Sequence, residues 1–334
     1  MKPFFIFFLC ICLGGASIKL YPHVAYKNGY PVLKDQHLVA YVVAREEVGE
    51  ALMSSFCKKT GCTYEFIRLS TEEMLRRVEE EKKNPKTDVV IGGPVDAHQV
   101  LKNKHLSISV ELDDKVKQYV YKDKDDYWYG YEMEQLSIGI NTERWEQEIA
   151  PLGVELPKDW EDLLNPYFRG KIVMPDPNTS GTAHTFLQSI VANMGKKGAI
   201  QYLKRFHSQI GQYTPNGYTP AEYVASGEYL IGINFRGDQK MLNIKKFPIL
   251  SIVPRQTTFS INSISKLQDA PHGQVGDLFL RYCLSEEGKK IIEKVSYGTL
   301  TIKENKGTRV SIKTGHKVDD YSVVLDYWNK LRFD

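Results

Sequence analysis

Short apolar runs of strand length alternate with helical periodicity along this chain. That alternation limits the possible folds more than any other feature. Leu38 to Ala44 is a continuous apolar run, Thr63 to Leu69 reads as a strand, and Asp88 to Ile91 is a short buried strand ended by Gly92-Gly93-Pro94. Between them, Glu46 to Phe56 places Val48, Leu52 and Phe56 on one helical face. A second helix, capped by Ser70 or Thr71, carries Met74, Leu75 and Val78. Buried strands alternating with helices predict an α/β fold, a mostly parallel sheet with helices on both faces. Ligands bind such sheets at the carboxyl ends of strands. The candidate positions are then Ala44-Arg45-Glu46 and Gly92 to His98.

A second α/β unit follows. Leu136 to Asn141, Lys171 to Met174 and Tyr229 to Phe235 read as strands. Trp160 to Leu164 reads as a short helix, and Thr182 to Met194 as a longer one stopped by Gly195, with Tyr202 to His207 in the next. Thr219-Pro220-Ala221-Glu222 fits a capping box with proline at the first helical position. A third segment, the strand Thr258 to Ile264 and a helix over Gly276 to Val295, returns to the first unit. Two lobes crossed more than once by the chain imply a cleft with a hinge. The boundaries are 36–132 plus 258–299 for lobe 1 and 133–257 plus 300–334 for lobe 2.

The N-terminus carries its own information. A basic start, the apolar run Phe4 to Leu13 and the small residues Gly14 to Ser17 describe an export signal over residues 1–17. Ile11 precedes Cys12 where lipid attachment needs a small residue, which disfavours a lipoprotein. Cys57 and Cys62 bracket a helix end that Gly61 can cap, and they are either a disulfide or two separate buried thiols. Cys283 stands alone in a helical stretch, and no cluster has zinc-site spacing. The formal charge of +3 over 334 residues argues against a nucleic-acid partner held by bulk charge, while leaving room for a local basic pocket.

The strongest local signal is Asn178-Thr179-Ser180-Gly181-Thr182, between a strand and a helix. A helix start exposes free N–H groups and a partial positive charge, Gly181 permits close approach, and Ser180 and Thr182 add hydroxyl donors. This suits an anion cradle; the plainer reading makes Ser180 the cap of its own helix. A second turn, from Tyr213 through Thr214 and Asn216 to Tyr218, gathers N–H groups in the same way, or is a simple loop. Arg45 can fork onto a phosphate or carboxylate, or pair with a nearby glutamate. Asp96 can take sugar hydroxyls and His98 an anion, or the two are a cap and an exposed imidazole. Asp238 is a hydroxyl acceptor or a turn residue; Glu132 and Glu134 either line the cleft or face solvent. The chain has 20 tyrosines, a residue type that can ligate ferric iron but more often packs half-buried.

The motifs "GGPVDAH", "PKDWEDLLNPYFRGKIVMPDPNTSGTAHT" and "QYTPNGYTPAEYVASGEYLIGINFRGD" make the chain resemble family 1 solute-binding proteins of bacterial ABC importers. Within that family it resembles the ferric-iron-binding-protein group, nearest its hexose-phosphate-binding branch. The resemblance covers most of the chain beyond the signal. It implies a type II two-lobed periplasmic-binding-protein fold, with central mixed sheets flanked by helices and a ligand cleft between the lobes. It also implies cleft closure around one ligand and delivery to a membrane permease. Ferric members usually place a histidine after the first strand and a tyrosine pair after the strand equivalent to Tyr229–Phe235. Here Arg45 and Arg236-Gly237-Asp238 stand at those places, which favours an anion over a metal. Gly237 stands where the sugar-phosphate branch commonly has histidine, and Asn216 where it has serine.

The resulting expectation is a periplasmic, monomeric binding protein that catalyses nothing and needs no cofactor or metal. Its ligand is a small phosphorylated or otherwise anionic solute, with a sugar phosphate leading and ferric iron the alternative. Ser180, Gly181 and Thr182 hold the anion, with Thr214, Asn216 and Arg45 as helpers. Asp96, His98 and Asp238 read the hydroxyl-bearing end. A secreted hydrolase or transferase is the rival class, though no nucleophile-elbow or metal-helix motif supports it. A surface adhesin on the same fold is a further rival.

Overall fold

The structure is a computed structural model that describes residues 24–112, 121–298 and 318–333. The expected export signal, with Cys10 and Cys12, lies outside the described residues. A small hairpin, β1 (Tyr26–Lys27) and β2 (Tyr30–Pro31), comes first. Then β3 (His37–Val43), α1 (Glu46–Thr60), β4 (Thr63–Arg68), α2 (Thr71–Glu80) and β5 (Val89–Pro94) follow, and the three strands pair in parallel. α3 (Val95–Asn103) and the short β6 (Ser107–Ile108) lead to β7 (Tyr129–Asn141). After α4 (Thr142–Glu148) come β8 (Ile172–Pro175), α5 (Gly181–His207), β9 (Ile210–Thr214), α6 (Thr219–Ala225), β10 (Ile231–Phe235) and α7 (Arg236–Ile244). The chain continues through β11 (Ile249–Ile252), β12 (Phe259–Leu267), α8 (Val275–Cys283) and α9 (Glu286–Ser296) to α10 (Val318–Phe333).

Among the described residues one ten-stranded mixed sheet runs β4-β3-β5-β12-β7-β10-β8-β9, with β11 added on β7 and β6 on β12. β7 joins its halves. Tyr129 to Gln135 pair antiparallel with β12, whereas Leu136 to Ile140 pair with β10. A register shift at Asn262/Ser263 bends the ladder where the lobes meet. The sequence pattern revealed only the second half of β7, because Glu132 and Glu134 interrupt its apolar run; all thirteen residues are nevertheless buried.

Strand alternation distributes the core to both faces. Leu38, Ala40 and Val42 meet Val48, Leu52 and Phe56 of α1, while Tyr41 and Val90 meet Met74 and Val78 of α2 on the opposite face. Each such buried side chain contributes about 1.5–3 kcal/mol by leaving water. In the second lobe Leu136, Ile138 and Ile140 pack with Phe186, Leu187 and Ile190 of α5, and α10 adds Val324 and Trp328. Gly195 takes non-helical angles (φ 67°) and divides α5 into two helical segments, as the stop expected at that glycine requires. The single helix expected over Gly276 to Val295 is two, because the Ser285 hydroxyl accepts from Gly288 N–H and starts α9. Cys57 and Cys62 form a disulfide beside Gly61, which ends α1 at φ 83°. Cys283 is buried and free.

Candidate functional site

The lobes touch at the leading end of α5. Asp176 builds the preceding turn: its carboxylate accepts from Asn178 N–H at 2.8 Å, and its carbonyl accepts from Ser180 N–H at 2.9 Å. Gly181 N–H then donates across the interface to Thr71 Oγ1 at 3.2 Å, and Glu72 N–H donates to the Thr179 carbonyl. His184 lies 3.7 Å from Glu72. A Cβ on Gly181 would meet Pro94 at 2.7 Å, so this close approach of the lobes requires glycine. Ser180 stands at the N-cap position, yet its hydroxyl caps nothing, contrary to the plainer reading of that residue. Ser180 and Thr182 are buried and both border Gly217, where an added Cβ would strike the Thr182 hydroxyl.

The neighbouring turn is built by its own side chains. Thr214 Oγ1 donates to the Asn216 carbonyl at 2.9 Å. Asn216 Oδ1 accepts from the N–H groups of Tyr218 and Thr219, both at 3.0 Å, and from the Thr219 hydroxyl. The capping box expected at Thr219 is therefore corrected. Thr219 is the first helical residue, and Asn216 supplies the cap from outside the helix.

Beyond Tyr218 on the interlobe floor, Arg45 and Asp238 meet each other. Arg45 Nε is 3.0 Å from Asp238 Oδ1, and Arg45 Nη2 donates to the Val295 carbonyl at 2.6 Å. Arg45 also lies over the Tyr218 ring, 5.9 Å from its centre. Glu132 and Glu134, successive same-side residues of β7, are buried below them rather than solvated. Asn262 Nδ2 donates to Glu132 Oε2 at 2.9 Å, and the Ser296 side chain and Gly298 backbone also favour the charged form of Glu132. Gly237 is required here because a Cβ would lie 2.9 Å from the Glu134 carboxylate and 2.8 Å from the Ser296 carbonyl. Burial pushes Asp238 up to about 7 against the pull of Arg45, and it raises Glu132 and Glu134 as well.

His98 is corrected. It is fully buried, with Nδ1 at 2.7 Å from Ser265 Oγ and Nε2 at 2.9 Å from the Gly92 carbonyl. Burial lowers its pKa to about 4, so the imidazole is neutral at physiological pH and ties β5 to β12 rather than reaching into the cleft. The Gly92 turn that places it needs glycine: φ is +87°, and a Cβ would sit 2.8 Å from the Val43 carbonyl carbon. Asp96, by contrast, is exposed at the rim, and its Oδ2 accepts from Gln188 Nε2 of α5 at 2.5 Å.

The geometry is thus a two-lobed α/β protein whose interlobe space is lined by helix starts, hydroxyls and buried carboxylates. Residues 84–322 match the bacterial extracellular solute-binding protein family. The chain belongs to that family. An uncharacterized protein of Haemophilus influenzae is 32% identical to this solute-binding protein over 77% of this chain and 75% of its own length. A Salmonella typhimurium relative, named "Putative 2-aminoethylphosphonate-binding periplasmic protein", is 22% identical over 73% of this chain and 71% of its own. The solved structure of the periplasmic binding protein AfuA from Actinobacillus pleuropneumoniae, with fructose-6-phosphate bound, superposes with a TM-score of 0.75. It is 27% identical and covers 89% of this chain and 96% of AfuA. Members of the family are extracytoplasmic binding proteins rather than enzymes. No helix among the described residues is long and apolar enough to cross a membrane.

Two residues of this solute-binding protein escaped the sequence reading. In sequence Thr71 is one of two candidate caps for α2, yet its hydroxyl meets Gly181 across the lobes. Arg68 ends β4, and the strand-end rule that selected Arg45 selects it equally.

Proposed function

We propose that this chain is the capture component of an ABC importer and that it takes a small phosphorylated or phosphonate anion, a sugar phosphate first among them. One observation carries the reading. The leading end of α5 lies in the interlobe space with the Ser180 hydroxyl unengaged in capping. In this reading the Ser180 and Thr182 hydroxyls and the Gly181 and Thr182 amides hold the anion, and a ligand oxygen replaces Thr71 Oγ1 on Gly181 N–H. Thr214 and Asn216 hold the adjoining turn. The Asp238–Arg45 pair forms the floor against the hydroxyl-bearing end, and Asp96 stands at the rim. Lobe 1 (36–132 plus 258–299) and lobe 2 (133–257 plus 300–334) close because contacts to both exist only in the closed state.

The relatives support the ligand class, since AfuA holds fructose-6-phosphate and the Salmonella protein's name gives a phosphonate. The ion pair of Arg45 with Asp238 stands at the two places where ferric members carry metal ligands, which weighs against iron. The reading includes export to the periplasm by residues 1–17, action as a monomer, delivery to a membrane permease and return of the ligand unchanged. Calorimetric titration with fructose 6-phosphate, 2-aminoethylphosphonate and inorganic phosphate tests it. Binding of at least one is expected; silence toward all three removes the proposal.

A further inference from the structure

Arg68 differs from the other cations of the interlobe region. Arg45 is paired with Asp238 and is almost wholly buried. The Arg68 side chain makes no hydrogen bond or ion pair with the described residues, and the residue is exposed. Enough protein nonetheless surrounds its guanidinium for burial to lower its pKa, against the opposing pull of Glu73, Asp238, Glu222 and Glu46. Those four carboxylates come from the first turns of α2, α7, α6 and α1. Two of these helices belong to the first lobe and two to the second, and Arg68 itself ends β4 at the carboxyl edge of the first lobe's parallel strands, in register with Val42. The backbone limits how far Arg68 can lie from the interlobe contact at Thr71. Arg68 precedes Thr71 by three residues, at most about 10 Å of chain, and Thr71 Oγ1 receives the Gly181 N–H.

An arginine is almost always charged, and its planar fork matches phosphate oxygens two at a time. An exposed guanidinium without a close partner, carried by the residue that ends β4 three positions before Thr71, has the character of half an ion pair. We propose that Arg68 is the specificity-determining cation of the cleft. It reaches from the first lobe to the phosphoryl or phosphonyl group that Ser180, Gly181 and Thr182 hold from the second. This rests on the proposed anion-binding reading and assigns the charge within it. Neutral sugars then lack the group that draws Arg68 across the cleft, so the residue also couples ligand charge to closure.

The test compares wild type with Arg68→Gln and Arg68→Lys by calorimetry, using fructose 6-phosphate, 2-aminoethylphosphonate and inorganic phosphate at low and high salt. For any probe the wild type binds, Arg68→Gln is expected to weaken binding about tenfold to a hundredfold, the range of a charge-assisted hydrogen bond. Arg68→Lys is expected to recover part of that loss. Raising salt should weaken the wild type more steeply than Arg68→Gln. The unfolding midpoint of the ligand-free variants should match wild type, since Arg68 has no internal bond to lose. If Arg68→Gln binds within twofold of wild type, the inference falls while the anion-binding reading stands. If wild type binds none of the probes, both fall together.

Discussion

Arg45, Asp238, Glu132 and Glu134 crowd one end of the interlobe floor, while Ser180, Thr182 and Gly217 form the other. Both ends are polar and largely buried, yet they are organised differently. At the carboxylate end Arg45 is engaged by Asp238 and the Val295 carbonyl, and Asn262 holds Glu132. At the hydroxyl end the Ser180 side chain caps nothing, and the Gly181 amide reaches a hydroxyl of the opposite lobe. A cluster whose cation is engaged within the protein supports the fold; hydroxyls free of a capping role are available to a ligand. The contrast predicts that substitutions at the first end damage stability and that substitutions at the second damage binding.

The largest expected effect lies at the carboxylate end. Arg45→Met leaves Asp238 buried without its cation and should cost about 3–5 kcal/mol in urea unfolding at pH 8. The cost should shrink at pH 5. Asp238 is raised from 3.8 to about 7, and Glu132 and Glu134 are also raised. Their contribution is therefore fully present below the ordinary carboxylate range and is lost as pH rises through the folded values. Asp238→Asn in the Arg45→Met background should restore part of the loss. An Arg45→Met protein less than about 1 kcal/mol weaker at pH 8 would break the comparison.

His98 supplies the next effect and separates two turns that look alike in sequence. Both the Gly92 turn and the Gly181 turn join a strand to a helix, and they meet where Pro94 lies against Gly181, but His98 ties β5 to β12 and makes no bond across that contact. His98→Ala should cost about 2–4 kcal/mol through a cavity and two lost hydrogen bonds, while leaving affinity for anions within twofold. Its folded pKa is lowered from 6.5 to about 4. Its stabilisation is thus present above 6.5 and lost as pH falls through 4, and the variant should lack that acid-dependent component. Loss of anion binding in a folded His98→Ala protein would return the residue to the site.

At the hydroxyl end the order of effects reverses. Ser180→Ala removes no cap bond, so unfolding should shift by less than about 0.5 kcal/mol, whereas the loss of a true N-cap costs about 1 kcal/mol. Binding of fructose 6-phosphate, measured by calorimetry, should weaken about tenfold, with a similar loss for the nearly isosteric Thr182→Val. If Ser180→Ala instead destabilises the protein and spares binding, its hydroxyl is a cap after all.

Much of this division could be read from residues close together in sequence. The anion cradle was legible because a strand end, a glycine and two hydroxyls are contiguous from Asn178 to Thr182. The strands β3, β4 and β5 were legible because each is an apolar run. What escaped depends on contacts far apart in the chain. Arg45 and Asp238 are separated by nearly two hundred residues, so the sequence offers Arg45 a ligand anion or a nearby glutamate, and Asp238 a ligand hydroxyl or a turn, but not each other. His98 looked polar and available because its partner, Ser265, comes from β12. The first half of β7 was hidden by Glu132 and Glu134, charged residues that tertiary burial keeps inside a strand. The helix α7 was missed because Arg236-Gly237-Asp238 reads as a turn, yet Gly237 is there to admit the Glu134 carboxylate.

The smallest expected effect lies at the rim, where Asp96 and Gln188 bridge the lobes at 2.5 Å in full view of solvent. An exposed polar contact of this kind contributes no more than about 1 kcal/mol, because water competes for both partners. It belongs to neither end of the floor, and it exists only while the lobes are together. Gln188→Ala should therefore leave unfolding unchanged and shift the balance of the ligand-free protein toward separated lobes. Small-angle scattering should read that shift as an increase in radius of gyration. Since only the closed state completes the ligand contacts, the dissociation constant for fructose 6-phosphate should rise by the same factor as the closed state is depopulated, up to about fivefold. An unchanged radius with a weaker dissociation constant would mean that Gln188 touches the ligand. A changed radius with unchanged affinity would mean that closure is not coupled to binding, and the division between supporting and receiving ends would lose its mechanism.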